Sequence, residues 1–272
     1  MKSAITVSLV PEAQGGPFVY WDDLAKACES ASALGFDGIE IFAPSAGALP
    51  VEELRALLQT HRLALAAIGT GAGWVKHKLH LTHPDVAIRE RAREFIAEII
   101  DLAGALGAPA IIGSMQGRVE AGVPRDQALD WLGEALAALG ERSSRYGVPL
   151  FYEPLNRYET NLFNRAADAA DFLAARGLGN VRLLCDVFHM NIEEVSIPAT
   201  LRAIAKQLGH VHFADSNRRA VGFGHVDYPA IIGTLREIGY DGYLCAEVLP
   251  LPDSETAARQ TITSFRALTG AS

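Results

Sequence analysis

Short apolar or β-branched runs alternate with longer amphipathic ones along the whole chain, and few folds accept that order. The strand-like runs are Ala4–Val10, Gly38–Phe42, Leu63–Gly69, Ala110–Ser114, Leu150–Pro154, Val181–Val187, Val211–Asp215 and Tyr243–Val248. Helices are predicted between them, over 22–34, 51–61, 85–107, 126–146, 165–176, 198–207 and 229–238, with a last one over 254–268. In the third of these, Ala92, Phe95, Ile96, Ile99, Ile100 and Ala103 form one apolar stripe. Gly35, Gly107, Gly147, Gly177, Gly209 and Gly239 each follow a helical stretch, where a left-handed residue closes the helix.

Eight such repeats in 272 residues predict a single (β/α)8 TIM barrel, α/β in class, with residues 1–272 as one domain. A doubly wound open sheet is the alternative, but SLVPEAQGG after the first strand lacks the GxGxxG turn of that fold. GTGAG at 69–73 lacks the third glycine and is not expected to open a helix; it reads as a mobile loop. MKSAITVSLV reads as a first strand rather than a signal peptide, and no apolar stretch is long enough to span a bilayer. A cytoplasmic protein is expected.

The chain carries 24 Lys plus Arg against 32 Asp plus Glu, a net charge of -8, which argues against nucleic acid and anionic membranes as partners. Cys28, Cys185 and Cys245 are widely spaced and offer neither a disulfide framework nor a thiolate zinc site.

In a barrel, chemistry gathers where strands end at the C-terminal face. The last four strands each deliver a metal-capable side chain there: Glu153, Asp186, His212 and Glu247. Strand alternation puts Phe151 beneath Glu153, Leu184 beneath Asp186, and Cys245 and Tyr243 beneath Glu247. A carboxylate over such neighbours is costly unless it is paired, protonated or on a metal. Three carboxylates and an imidazole suit one divalent cation of the Mn²⁺, Mg²⁺ or Co²⁺ kind, with positions left for substrate oxygens. Such an ion would polarise a carbonyl and stabilise an enediolate. Glu153 and Glu247 come from strands that are not neighbours, so they can flank a sugar as an acid–base pair and invert one carbon.

EPLNRYE (153–159), CDVFHMNIEE (185–194), HVHFADSNR (210–218) and GYDGYLCAEVLPLP (239–252) resemble the D-tagatose 3-epimerase group of the xylose isomerase-like barrel superfamily. GTGAGW, HFADSNR and EVLPLP are most similar to a sub-branch typified by 5-keto-L-gluconate epimerase. The resemblance implies Glu153, Asp186, His212 and Glu247 as ligands of one divalent metal, Mn²⁺ foremost. It also implies Glu153 and Glu247 as the catalytic pair, and Glu159, His189 and Arg218 as substrate contacts. The implied reaction is epimerisation next to the carbonyl of a ketose or keto-sugar acid; an aldose–ketose isomerase or a keto-inositol dehydratase would use the same site. Relatives imply a homo-oligomer, dimer or tetramer.

Ala214-Asp215 departs from the Gly-Glu pair usual after the seventh-strand histidine, and Asp215, of opposite parity to His212, reads as structural. Arg219 beside Arg218 could suit an acidic sugar, or could face solvent. His225 and Asp227 lie where an abasic-site endonuclease of the superfamily carries part of a three-zinc cluster, but the other ligands are missing. His77, His80 and His83 read as a solvated approach rather than a second metal site. Trp74 and the Phe18–Trp21 group could cap a sugar, Trp74 with the 69–83 loop acting as a lid, or could pack in the core or at a subunit contact. Cys185 and Cys245 read as buried small hydrophobes, and His210 as structural.

Overall fold

Eight parallel strands close on themselves in the computed structural model, which describes residues 1–271. They are β1 (Lys2–Ser8), β2 (Gly38–Phe42), β3 (Ala64–Gly69), β4 (Ala110–Ile112), β5 (Leu150–Tyr152), β6 (Val181–Asp186), β7 (Leu208–His212) and β8 (Tyr243–Ala246). Each pairs with the next, and the ring closes where Lys2–Ile5 of β1 lie beside Tyr243–Ala246 of β8. A two-residue strand, Tyr20–Trp21, adds to the edge of β1 near its C-terminal end. The helices of the outer ring are α1 (Leu24–Leu34), α2 (Val51–His61), α3 (Val86–Ala105), α4 (Arg125–Ser144), α5 (Ala166–Ala175), α6 (Ile197–Ala203), α7 (Tyr228–Glu237) and α8 (Ser254–Thr269).

The strands are buried on both faces, as expected where helices cover a parallel sheet. Their outward residues and the helix stripes make one large core, including the predicted Ala92, Ile96, Ile99, Ile100 and Ala103 of α3. Their inward residues make two small clusters: Ala67, Ile111, Phe151 and Leu184, and Ala4, Ala66 and Cys245 with Tyr243 against them. These clusters plug the barrel, so the inward residues one step further along have only the C-terminal mouth to face.

Helix starts follow ordinary capping chemistry. Asp23, Asp85, Asp227 and Asp253 each accept a hydrogen bond from an amide in the first turn of the helix that follows. Gly35 closes α1 at φ +80°, and Gly107, Gly147, Gly177 and Gly239 are also left-handed.

Four sequence expectations need correction. Gly209 is not a helix cap but lies in β7, because a side chain there would run into Phe151 and Arg182. That strand is Leu208–His212, three residues earlier than predicted, and Phe213–Asp215 lies beyond its end. GTGAG opens a short helix, Ala72–His77, packed too tightly for a mobile loop. A Cβ on Gly71 would sit 2.7 Å from Phe42, and one on Gly73 would sit 2.5 Å from Met115. Finally, Val187–Glu193 is helical directly after β6, with Asp186 accepting from the Phe188 amide at 2.8 Å.

Candidate active site

The C-terminal mouth holds a cavity of about 380 Å³, walled by Glu40, Glu153, His189, His212, Arg218 and Glu247 and roofed by Phe18, Phe42 and Trp74. A roomier depression of about 510 Å³ lies at the opposite end, but no carboxylate lines it. The four residues that could hold a metal gather at the smaller one.

The four predicted ligands meet there. Asp186 and His212 are the last residues of β6 and β7, and Glu153 and Glu247 follow β5 and β8 directly. His212 Nδ1 is 3.6 Å from Glu153 Oε1, 3.6 Å from Asp186 Oδ2 and 3.5 Å from Glu247 Oε2. All four donor atoms lie within 4.8 Å of one another. Bonds of about 2.1 Å to a shared cation put neighbouring ligand atoms about 3–4 Å apart, so the spacing fits. Glu153 Oε1, His212 Nδ1 and His189 Nε2 are buried without a hydrogen-bond partner, and buried polar atoms are rarely left so without a ligand to meet. The residues present thus fit a divalent metal.

Room for Glu153 depends on β4. Any Cβ on Gly113 would come within 2.6 Å of Glu153 Oε2. Gln116 donates to the Gly113 and Glu153 carbonyls at 2.9 Å each, and Tyr152 donates to Gln116 at 2.6 Å. The backbone that carries Glu153 is therefore fixed from two sides.

The electrostatics separate the two glutamates. Burial drives the Glu153 carboxyl well above the usual range; the charges of Glu247 and Asp186 add to that, against the pull of His212. Glu247 is only partly exposed and desolvation works against its charge too, but His212 and Arg218 outweigh that and hold it below the usual range. Asp186 is held low against burial by His189, Arg218 and His212. Burial works against a charged His212, yet Glu247, Glu40 and Asp186 hold its pKa well above the ordinary value.

His189 sits on the short helix after β6. Burial lowers its pKa and favours the neutral ring. Its Nδ1 accepts from the Asn156 side-chain amide at 2.8 Å and the Asn156 backbone amide at 3.3 Å, which leaves the hydrogen on Nε2, facing the cavity. Arg218 donates to Glu247 and, at 3.3 Å, to Asp186, with its guanidinium 4.8 Å over the Phe188 ring. Its backbone is left-handed at φ +57°, in a loop organised by Asp215. Asp215 accepts from the amides of Ser216, Gly222 and Val226, so it is structural, as its parity suggests. Glu159 stands half-exposed at the rim, 3.7 Å from Arg218 and bonded to Asn156 at 3.2 Å.

Arg219 lies over Phe223 and does not line the cavity, so a second arginine is not offered to a sugar acid. His225 is exposed, and Asp227 caps α7. Among the described residues, His77, His80 and His83 join no metal-competent group. His80 is instead buried against Thr82, with burial and the nearby His83 and Arg118 bringing its pKa down to about 4. Cys185 and Cys245 are fully buried and their thiols are pushed up, which disfavours a nucleophile. Trp74 and Phe18 do reach the cavity, Phe18 stacked on Phe42 at 4.7 Å.

Two residues escaped the sequence reading. Asn156 lies inside EPLNRYE, and only its contacts reveal that it orients His189. Glu40, in GIEIF on β2, is buried and lies 3.2 Å from His212 and 3.0 Å from His210. A carboxylate inside an apolar strand run was the available signal.

A family model described as xylose isomerase-like TIM barrel matches residues 28–268. The chain is 30% identical over 242 residues to D-psicose 3-epimerase of Ruminiclostridium cellulolyticum, which covers 85% of this chain and 81% of that protein. It is 32% identical over 225 residues to 3-dehydro-D-guloside 4-epimerase of Escherichia coli, 79% of this chain and 82% of that one. The crystal structure of apo 3-keto-D-glucoside 4-epimerase from E. coli superposes with a TM-score of 0.81 at 22% identity, over 98% of this chain and 100% of that chain. D-Psicose 3-epimerase crystallised in the presence of D-fructose gives 0.79 at 23%, over 100% of both chains. At such identities the superpositions speak for the fold alone. The sequence matches carry further: the chain belongs to the xylose isomerase-like TIM barrel family.

Proposed function

We propose that the protein is a divalent-metal-dependent carbohydrate epimerase that inverts the carbon next to the carbonyl of a ketose or keto-sugar acid. The observation that carries this reading is His212 Nδ1, partnerless and 3.5–3.6 Å from an oxygen of each of three carboxylates, two of them buried and Glu247 partly so. The relatives named above are sugar epimerases, which supports the reaction class.

Glu153, Asp186, His212 and Glu247 would hold the cation, and Mn²⁺ suits this donor set best. When bound, it would act as a Lewis acid on the substrate carbonyl and lower the barrier to enolisation. Glu247, held ionised, takes the proton from the carbon beside the carbonyl on one face of the sugar. Glu153, on the other face, delivers a proton to the same carbon of the enediolate, so that Glu247 ends protonated and Glu153 ionised. One C–H bond breaks and another forms, so the carbon is inverted and the carbonyl stays in place. The reverse reaction exchanges the two roles. His189 Nε2–H donates to a substrate oxygen beside the carbonyl, and Arg218 and Glu159 bind hydroxyls at the rim. Phe18, Phe42 and Trp74 cover the apolar edge of the sugar and keep water from the enediolate.

Metal content of the purified protein and turnover of a ketose panel with and without EDTA test the reading together. A protein that turns over ketoses equally well after complete metal removal would exclude it.

A further inference from the structure

One buried carboxylate stands outside the group of four ligands. Glu40 reaches from β2 across the barrel interior to β7, and its two oxygens are engaged separately. Oε1 is 3.2 Å from His212 Nε2, and Oε2 is 3.0 Å from His210 Nε2. Among the described residues, Glu40 forms ion pairs only with these two rings and none with lysine or arginine. His210 and His212 are two apart on one strand and share its inward face, so one carboxylate spans both.

We propose that Glu40 is a positioning residue that fixes which nitrogen of His212 faces the cation site, and so sets the affinity for the metal. This rests on reading Glu153, Asp186, His212 and Glu247 as that site. An ionised carboxylate only accepts, so His212 presents Nε2–H to Glu40, and Nδ1 is the nitrogen left to ligate. The opposite tautomer would aim an N–H at the cation and could not bind it. The second contact matters as much as the first. His210, itself stacked on Phe151 at 5.3 Å, holds the far oxygen and stops the carboxylate from turning away from His212. A glutamine has one acceptor and one donor in place of two acceptors, so it cannot receive both N–H groups.

The competing reading is that Glu40 only compensates two buried rings. Its loss would then lower folding stability and leave the cation affinity of the folded protein unchanged. The full chain, stripped with EDTA, is titrated with Mn²⁺ at one pH by calorimetry and by the EPR signal of free Mn²⁺. Wild type, Glu40→Gln and His210→Gln are compared, each shown to be folded by circular dichroism. Glu40→Gln is expected to bind Mn²⁺ about ten- to hundredfold more weakly, and His210→Gln to lose less. Folded Glu40→Gln that loses less than about fivefold overturns the proposal, since orienting contacts of this kind cost more. If Glu40→Gln does not fold, Glu40→Asp takes its place with the same threshold, because the shorter carboxylate cannot span both rings. A wild-type protein that binds no Mn²⁺ overturns the cation site itself, a different failure from equal binding by wild type and variant.

Discussion

His212 Nδ1 faces three carboxylate oxygens with no hydrogen-bond partner of its own, and the proposed cation site rests on that one atom. Its chemistry fixes a pH dependence. In the metal-free protein the ring is held charged well above the ordinary histidine range, and it must lose the Nδ1 proton to ligate. Mn²⁺ affinity is therefore expected to fall as pH drops and to keep climbing with pH beyond the ordinary histidine value of about 6.5. Calorimetric titrations at a series of pH values read this, and an affinity that is level or improves toward acid would contradict it. Glu247→Gln should leave a folded protein whose turnover is down by at least about a hundredfold, the scale of a lost general base; steady-state kinetics on a responsive ketose measure it. Gly113→Ala tests the packing beneath Glu153. A Cβ 2.6 Å from Glu153 Oε2 must push that carboxylate aside, so both metal affinity and turnover should drop.

The elements that place these residues differ in how readable they were. Glu153, Asp186 and Glu247 were legible because each ends an apolar strand run and its inward neighbours two residues back are apolar or aromatic. The two short helices, Ala72–His77 and Val187–Glu193, were not. Helices of one or two turns have little periodicity to read, and packing decides them: Gly71 against Phe42, Gly73 against Met115, and Asp186 as an N-cap. The offset of β7 has a similar cause, since Gly209 looked like a helix stop and was instead the space Phe151 needs. The loop after β7 offers the clearest test at this scale. Asp215→Ala strands three loop amides and loosens the segment that presents Arg218. Losing buried acceptors costs about 1–3 kcal/mol per stranded group. A lower melting temperature and a raised KM, with kcat changed less, are expected; an unchanged KM would show that Arg218 does not depend on this loop.

For the whole molecule, the order of apolar runs was enough to predict a closed parallel barrel, because eight buried strands in sequence leave few other ways to cover both faces. The same closure brings the ends of β5, β6, β7 and β8 around one point, and the four residues that could hold a cation there span 153 to 247, far apart in sequence. Glu40 was invisible at this level, since nothing local shows that β2 faces β7 across the interior. No helix among the described residues is long and apolar enough to cross a membrane. Because a metal that binds only the folded barrel must stabilise it, free Mn²⁺ at a hundred times its Kd should add about 2.7 kcal/mol. Thermal melts with Mn²⁺ and with EDTA check this, and coincident melts would count against the site. The proposed reaction uses two carboxylates to invert one carbon of the sugar. Its most direct test is to incubate the Mn²⁺-loaded protein with ketoses and keto-sugar acids in D2O and to follow the products by ¹³C and ²H NMR. The expected product has one inverted carbon beside an unmoved carbonyl, and that carbon carries deuterium. A carbonyl that has moved along the chain, loss of water, or inversion without deuterium would contradict the account.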